Sequence, residues 1–349
     1  MSTSSNSKTA PQPSRWKNFL KNLTLSVSVL VICIVLAELV LRTMGYGNVE
    51  IYEPDPHVFW RLKPDQHCYT KIDHKPVRVN SHGTRGADFL TAKPSNTIRI
   101  VSIGDSRTFG WGLTDGETYS ALLQRHLEDK FGSAKKFEVI NAGVNAWSYP
   151  QMAVFFREYA LRWQPDMVVL GEANLWTQFS ENGDPDFVRK MMFRVRFKNF
   201  LRRFALYHYV VEVQLKDFYE RHRSKFIPVD PQQDTLFKEQ QQKDPDAFFR
   251  DAIEQLCLGA LSNHVQPVLV YLPRQIDLLN PATNAFTAVL RGKMAVSRRL
   301  GVPLLDLTPD LQPKAKDLYL DGDPVHLNVA GNEIIGRRLF EVVSPLVKP

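Results

Sequence analysis

Apolar positions along the chain follow two regimes. From Asn22 to Ala37 no charge interrupts them, and Leu39 to Leu41 continue the run after Glu38. At about 1.5 Å of rise per residue, that stretch is long enough to cross a bilayer as a helix. From Ile98 onward the regime changes, and short strand-like apolar runs alternate with amphipathic stretches of helical length. Strands are predicted at Ile98–Ile103, Phe137–Ile140, Met167–Leu170, Pro267–Tyr271 and Pro303–Leu305. Helices are predicted near Tyr119–Phe131, Pro150–Trp163, Asp246–Ser262, Ala282–Leu300 and Asn328–Val343. Such an alternation implies an α/β domain with a parallel sheet and helices on both faces. Sites in such domains lie outside the carboxyl ends of the strands.

The pattern divides the chain into a basic tail (1–21), a transmembrane segment (22–44), a leading segment (45–96) and the α/β domain (97–349). Lys8, Arg15, Lys17 and Lys21 precede the apolar run with no acidic residue among them. By the positive-inside rule the N-terminus is cytoplasmic and everything after Met44 is extracytoplasmic. The flank "ELVLRTMGYG" offers no small-x-small cleavage site where one is expected, so the segment reads as a signal anchor rather than a cleaved signal peptide. Glu38 and Arg42 are spaced to pair on one helix face. The leading segment is rich in Pro, Asp and His between Tyr52 and Phe89, and reads as loops with one or two short strands such as Pro76–Asn80. His57, His67, His74 and His82 match no compact metal-ligand spacing, and no metal is expected.

Composition narrows the picture further. With 349 residues, 44% of them hydrophobic, the chain can bury a full core, which excludes wholesale disorder. Cys33, Cys68 and Cys257 form no metal pattern; Cys68 and Cys257 could pair outside the cytoplasm or stay as buried thiols. The basicity is local. Arg189 to Lys225 carries a net charge of +8 against +7 for the whole chain, inside an insertion at about 180–242. Its charges alternate with Phe, Tyr, Met and Leu at spacings that suggest one or two amphipathic helices. Four uses fit: a cap that recognises an anionic polymer, a surface on anionic lipid headgroups, a docking face for a partner, or a solvated helix pair packed on the sheet. Nucleic acid fits poorly, since the segment is expected outside the cell and no nucleic-acid fold is present. Phe237 to Asp246 reads as a polar linker back into the core. The run "GWGLTDG" lacks the Lys-Ser/Thr of a phosphate loop.

The chemistry gathers at both ends of the α/β domain. In "IRIVSIGDSRTFG" the first strand stops at Gly-Asp-Ser and delivers Ser106 to a turn that opens a helix. A serine hydroxyl is a weak nucleophile and needs a base, which in turn needs an orienting group. "LDGDPVHLNVAGNE" supplies His326 as base and Asp323 as its carboxylate, with Asp321 as a less direct rival.

The blocks "GDSRTFG", "NAGVNAWS", "EAN" and "DPVHLNVAGNE" resemble, in order and approximate spacing, those of the SGNH/GDSL hydrolases. "LAELVLRTMG", "YEPDP" and "VRVNSHGTRG" further resemble membrane-anchored bacterial members of that family. The resemblance covers roughly Glu38 to Leu339, apart from the insertion. It implies a three-layer α/β/α sandwich and a serine esterase that needs no cofactor. Ser106, Asp323 and His326 would be catalytic, and the N–H groups of Ser106 and Gly143 with the Asn174 amide would form the oxyanion hole. The substrate would be an ester-bearing small molecule or an acylated polysaccharide. Transfer of the acyl group to a sugar hydroxyl, or a non-catalytic role in polysaccharide assembly, are alternatives. Two departures stand out. The third block carries Glu172-Ala173-Asn174-Leu175 where the family reads Gly-x-Asn-Asp, and Arg107 follows the serine where an apolar residue is usual. Arg107 could hold a substrate carboxylate or phosphate, or simply pair with a nearby acid.

Overall fold

The computed structural model describes residues 15–49, 52–70, 75–173, 193–194, 196–215, 244–279 and 284–347. Helix α1 (Arg15–Thr43) contains the apolar run, and its side chains from Trp16 to Leu36 lie open to the surroundings. Two antiparallel hairpins follow, β1 (Tyr52–Asp55) with β2 (Phe59–Leu62), and β3 (Gln66–Tyr69) with β4 (Pro76–Val79). The described residues of the leading segment thus hold four strands rather than one or two. Each is four residues long, too short for alternation to show in the sequence.

The α/β domain runs β5 (Thr97–Gly104), α2 (Ser106–Phe109), α3 (Tyr119–Phe131), β6 (Lys136–Gly143), α4 (Tyr149–Glu158) and β7 (Met167–Leu170). After the insertion come α5 (Pro245–Ser262), β8 (Gln266–Tyr271), α6 (Asn284–Leu300), β9 (Leu304–Asp306) and α7 (Val329–Val343). The five strands pair in parallel in the order β6-β5-β7-β8-β9. Alternate residues serve opposite faces, as the pleat requires. Val101, Ile103, Val168, Leu170 and Leu269 pack with Met152, Phe155, Phe249, Ile253 and Val289 from α4, α5 and α6. Ile100, Val169, Val268 and Val270 pack with Leu123, Leu127, Ile335 and Leu339 from α3 and α7. Each such side chain contributes about 1.5–3 kcal/mol on burial. The result is the expected α/β/α sandwich.

Boundaries shift for local reasons. Asn328 is the cap of α7 rather than its first residue, its side chain accepting from Gly331 N. The helix expected to reach Trp163 ends at Glu158 and continues as a 3-10 turn, Ala160–Trp163. Cys68 and Cys257 are buried free thiols, and burial pushes the Cys257 thiol up to about 12.

Two connections fix the leading segment and α1 on the domain. Arg99 of β5 is buried and donates to Glu138 and to the carbonyls of Leu90, Thr91 and Trp163. At the other end, Glu38 accepts from the N–H groups of Ala205 and Leu206, both at 2.9 Å. Arg42 bonds Glu38 at 2.8 Å and the Arg203 carbonyl at 2.6 Å. The expected Glu38–Arg42 pair therefore exists, and it also seats α1 on the insertion. The described part of that insertion includes a helical stretch at 196–201, the turn Ala205–Tyr207 and a π-helix, His208–Gln214. The polar linker at Phe237 to Asp246 lies largely outside the described residues.

Candidate active site

Ser106 is the first residue of α2, directly beyond the carboxyl end of β5, which lies between β6 and β7 in the sheet. Asp105 caps this short helix, accepting from Arg107 N at 2.9 Å. The helix rests on three glycines at strand ends. A Cβ on Gly104 or Gly171 would come within 2.0 or 2.4 Å of Thr108 Oγ1, and one on Gly143 within 2.1 Å of Phe109 N. Any side chain there would lift α2, and Ser106 with it, off the sheet.

The base arrives from the opposite end of the sequence. His326 lies in the loop before α7, where Leu320 N donates to its carbonyl at 2.9 Å and Gln275 N donates to the carbonyl of Pro324 at 2.8 Å. Asn332 of α7 accepts from Tyr119 N, tying this loop to the start of α3. His326 Nε2 lies 2.7 Å from Ser106 Oγ, and Nδ1 lies 2.6 Å from Asp323 Oδ2. Asp323 Oδ1 accepts from the N–H groups of Val325 and His326. Burial alone would raise the Asp323 carboxyl, but the His326 imidazole and these two donors outweigh it and hold it below its ordinary value. An ionised Asp323 fixes the proton on Nδ1 and leaves Nε2 as acceptor for the serine hydroxyl. Asp321 is exposed, so the choice between the two carboxylates falls on Asp323.

Trp111 stacks on the imidazole at 5.9 Å and 28°. The loop that carries it is clamped by buried Arg85, which donates to the carbonyls of Phe109 and Gly110 at 2.7 Å, to that of Leu113, and to Asp115 Oδ1 at 2.8 Å. Arg85 belongs to the "VRVNSHGTRG" stretch, so the leading segment braces the serine loop. Trp60 and Trp147 brace the turn after β6 in the same way, each indole N–H donating to a backbone carbonyl on the other's side. Within that turn Ala146 holds a left-handed φ of 64°.

Beneath Ser106 lies a paired set of buried charges. The Arg107 guanidinium bonds both Asp105 oxygens and the carbonyls of Leu272 and Ala173. Its burial works against the charge, but the Asp105 carboxylate prevails and keeps it cationic. Glu172, fully buried, accepts from Lys293 Nζ at 2.7 Å, Tyr149 Oη at 3.0 Å and Leu272 N at 3.1 Å. Burial pulls the Lys293 ammonium below its ordinary value, with Glu172 opposing.

The structure thus brings Ser106, His326 and Asp323 together and treats the other expected site residues differently. The Arg107 side chain is 2% exposed and points into the protein, so it is engaged with Asp105 instead of facing a substrate. Gly143 N–H donates to Asn141 Oδ1 at 3.1 Å, and the residue provides the space on which α2 sits. Asn174 lies outside the described residues. The Ser106 N–H has no hydrogen-bond partner among the described residues. Sequence reasoning missed Trp111, Arg85 and the Glu172–Lys293 pair. Only the apolar surroundings of a lone lysine in α6 hinted at the last.

The chain matches no family model and no curated protein sequence. Among solved structures it is similar to TesA, at 14% identity and a TM-score of 0.45, covering 71% of this chain and 99% of that one. It is similar to the lipase/acylhydrolase from Enterococcus faecalis at 17% identity and a TM-score of 0.45, covering 72% and 98%. It is also similar to Axe2, an acetylxylan esterase from Geobacillus stearothermophilus, at 15% identity and a TM-score of 0.42, covering 70% and 93%.

Proposed function

We propose that this protein is a serine esterase of the SGNH type, held in a membrane by α1 with its α/β domain on the extracytoplasmic side. The observation that carries the catalytic reading is the continuous line from Asp323 through His326 to Ser106, with both links at 2.7 Å or less. In this reading Ser106 Oγ attacks the ester carbonyl carbon and its proton passes to His326 Nε2. The tetrahedral intermediate collapses, the C–O bond to the alcohol breaks, and the leaving oxygen takes the proton from Nε2. Water then attacks the acyl carbon while giving a proton to the same nitrogen, the bond from that carbon to Ser106 Oγ breaks, and Oγ takes the proton back from Nε2 as the acid leaves. The Ser106 N–H is one donor for the oxyanion, at the end of β5 where it is held by the capped turn.

O-acyl groups on a carbohydrate are the proposed substrates, and added sugar acceptors separate hydrolysis from acyl transfer. The anchored reading rests on the length and apolarity of α1 and on the basic residues before it. The deciding experiment treats the full chain with a fluorophosphonate probe and assays acetate release from an acetyl ester. Wild type is expected to carry the probe on Ser106 and to turn over, whereas Ser106→Ala does neither. A Ser106→Ala protein with wild-type rate would overturn the assignment. Protease shaving of spheroplasts tests orientation, since protection of the α/β domain would contradict it.

A further inference from the structure

The junction between α1 and the insertion presents a surface that the catalytic reading leaves unused. Phe193, Phe197, Phe200 and Phe204 are 70, 56, 51 and 44% exposed. Phe197 and Phe200, three residues apart in the helical stretch at 196–201, lie on one side of it, and Phe204 follows just beyond its end. Phe200 and Phe204 touch edge to face at 5.6 Å. Exposed Arg194, Arg196 and Arg203 flank them. Four large aromatic side chains left open together are unusual on a water-facing surface and mark an interaction site.

Where that surface lies decides what it meets. Ala205 and Leu206 donate to Glu38, and the Arg203 carbonyl accepts from Arg42, so the phenylalanine segment joins α1 within its last two turns. Gly47, just past α1, packs so closely that an added Cβ would lie 2.7 Å from the Ala205 backbone, and its N–H donates to His208 Nδ1. The α1 side chains Leu36, Leu39 and Val40 at that level are themselves more than half exposed. Apolar surface therefore continues from the outer end of the spanning helix onto the insertion, with cations along its margin.

We propose that Phe193, Phe197, Phe200 and Phe204 lie in the interfacial zone of the outer face of the bilayer, among acyl chains, with Arg194, Arg196 and Arg203 on anionic lipid headgroups. This rests on the reading of α1 as membrane-spanning. Apolar burial in the interface and electrostatic attraction act together on such a segment. The pairing of Glu38 with Arg42 of α1 and with the N–H groups of Ala205 and Leu206 also accounts for a carboxylate in the apolar helix, since its two backbone donors come from the docked segment. The consequence is a second, lateral attachment that holds the α/β domain against the membrane rather than letting it swing on a single helix.

The test uses the full chain in nanodiscs of phosphatidylcholine with or without phosphatidylglycerol. An environment-sensitive fluorophore is placed on Cys33, in the middle of α1, or on Phe197→Cys in a Cys33→Ser background, Cys68 and Cys257 being buried. The expected result at position 197 is blue-shifted emission, quenching by lipids carrying a nitroxide near the headgroup, and protection from iodide. Replacing Arg194, Arg196 and Arg203 with Gln is expected to weaken that quenching in phosphatidylglycerol discs. Iodide quenching at 197 without lipid quenching, while Cys33 is quenched by deep nitroxides, would overturn the interfacial placement alone. Such a result would leave the face to a soluble polymer or protein partner. A Cys33 probe insensitive to lipid nitroxides would overturn the spanning reading and this inference together, with the esterase assay unaffected. Equal quenching at 197 with and without phosphatidylglycerol would overturn the anionic-headgroup assignment.

Discussion

The catalytic end of the sheet and the junction at α1 handle burial in opposite ways. Around Ser106, polar groups are matched: Arg107 with Asp105 and Lys293 with Glu172 as buried ion pairs, and half-buried His326 with Asp323 through a hydrogen bond. At the junction the polar groups are also matched, through Glu38 and Arg42, but large apolar side chains remain uncovered. Paired charges in a low-dielectric interior have one satisfactory arrangement and hold the groups above them in place. Uncovered aromatics have none within the chain and call for something outside it. A complete site is recognised by its pairing, and an incomplete surface by what it leaves exposed.

Five variants test that contrast. Asp323→Asn keeps the shape of the triad but gives the imidazole the wrong tautomer, and kcat is expected to fall roughly 10⁴-fold, as in other triads. Asp321→Asn should leave the rate near wild type, and equal losses in steady-state assays would show that the two carboxylates share the role. Lys293→Met leaves Glu172 buried without its cation and is expected to lower stability by about 3–5 kcal/mol in chemical denaturation. Glu172→Gln combined with Lys293→Met should recover much of that loss, since no charge is then stranded. A Lys293→Met variant as stable as wild type would show that the ion pair with Glu172 does not hold this region together. The smallest effect belongs to the junction. Phe197→Ser with Phe200→Ser should change the unfolding free energy in detergent by no more than ~1 kcal/mol, because exposed side chains contribute little to the fold. A larger loss would place these rings in a protein core.

Much of the domain could be read from the sequence because its signals are local. Tyr119–Phe131 and Met167–Leu170 begin and end where the apolar pattern does, since a strand buried on both faces is continuously apolar and an amphipathic helix is periodic. The β1–β2 and β3–β4 hairpins were less legible, because four-residue strands carry too few positions to establish a period. In the site, Ser106 and the Asp323–His326 pair stood out because a strand end and a three-residue spacing are properties of the chain itself. Gly143 shows the limit of such signals. Sequence marks a glycine but not whether it frees an N–H or a space, and here the close approach of Phe109 N makes it a space.

By itself the sequence determined the apolar helix at the start, the order of strands and helices, the local basicity of the insertion and the residues able to form a triad. All of these follow from composition and near-neighbour spacing. Tertiary structure alone decided that Arg107 turns inward to Asp105, that Arg85 and Trp111 shape the serine loop, and that Lys293 meets Glu172 across 121 residues. It also decided that Glu38 receives Ala205 from 167 residues away. Each of these depends on distant segments meeting at one point, where a charge is stable only if the fold delivers its partner, and no local pattern encodes that meeting.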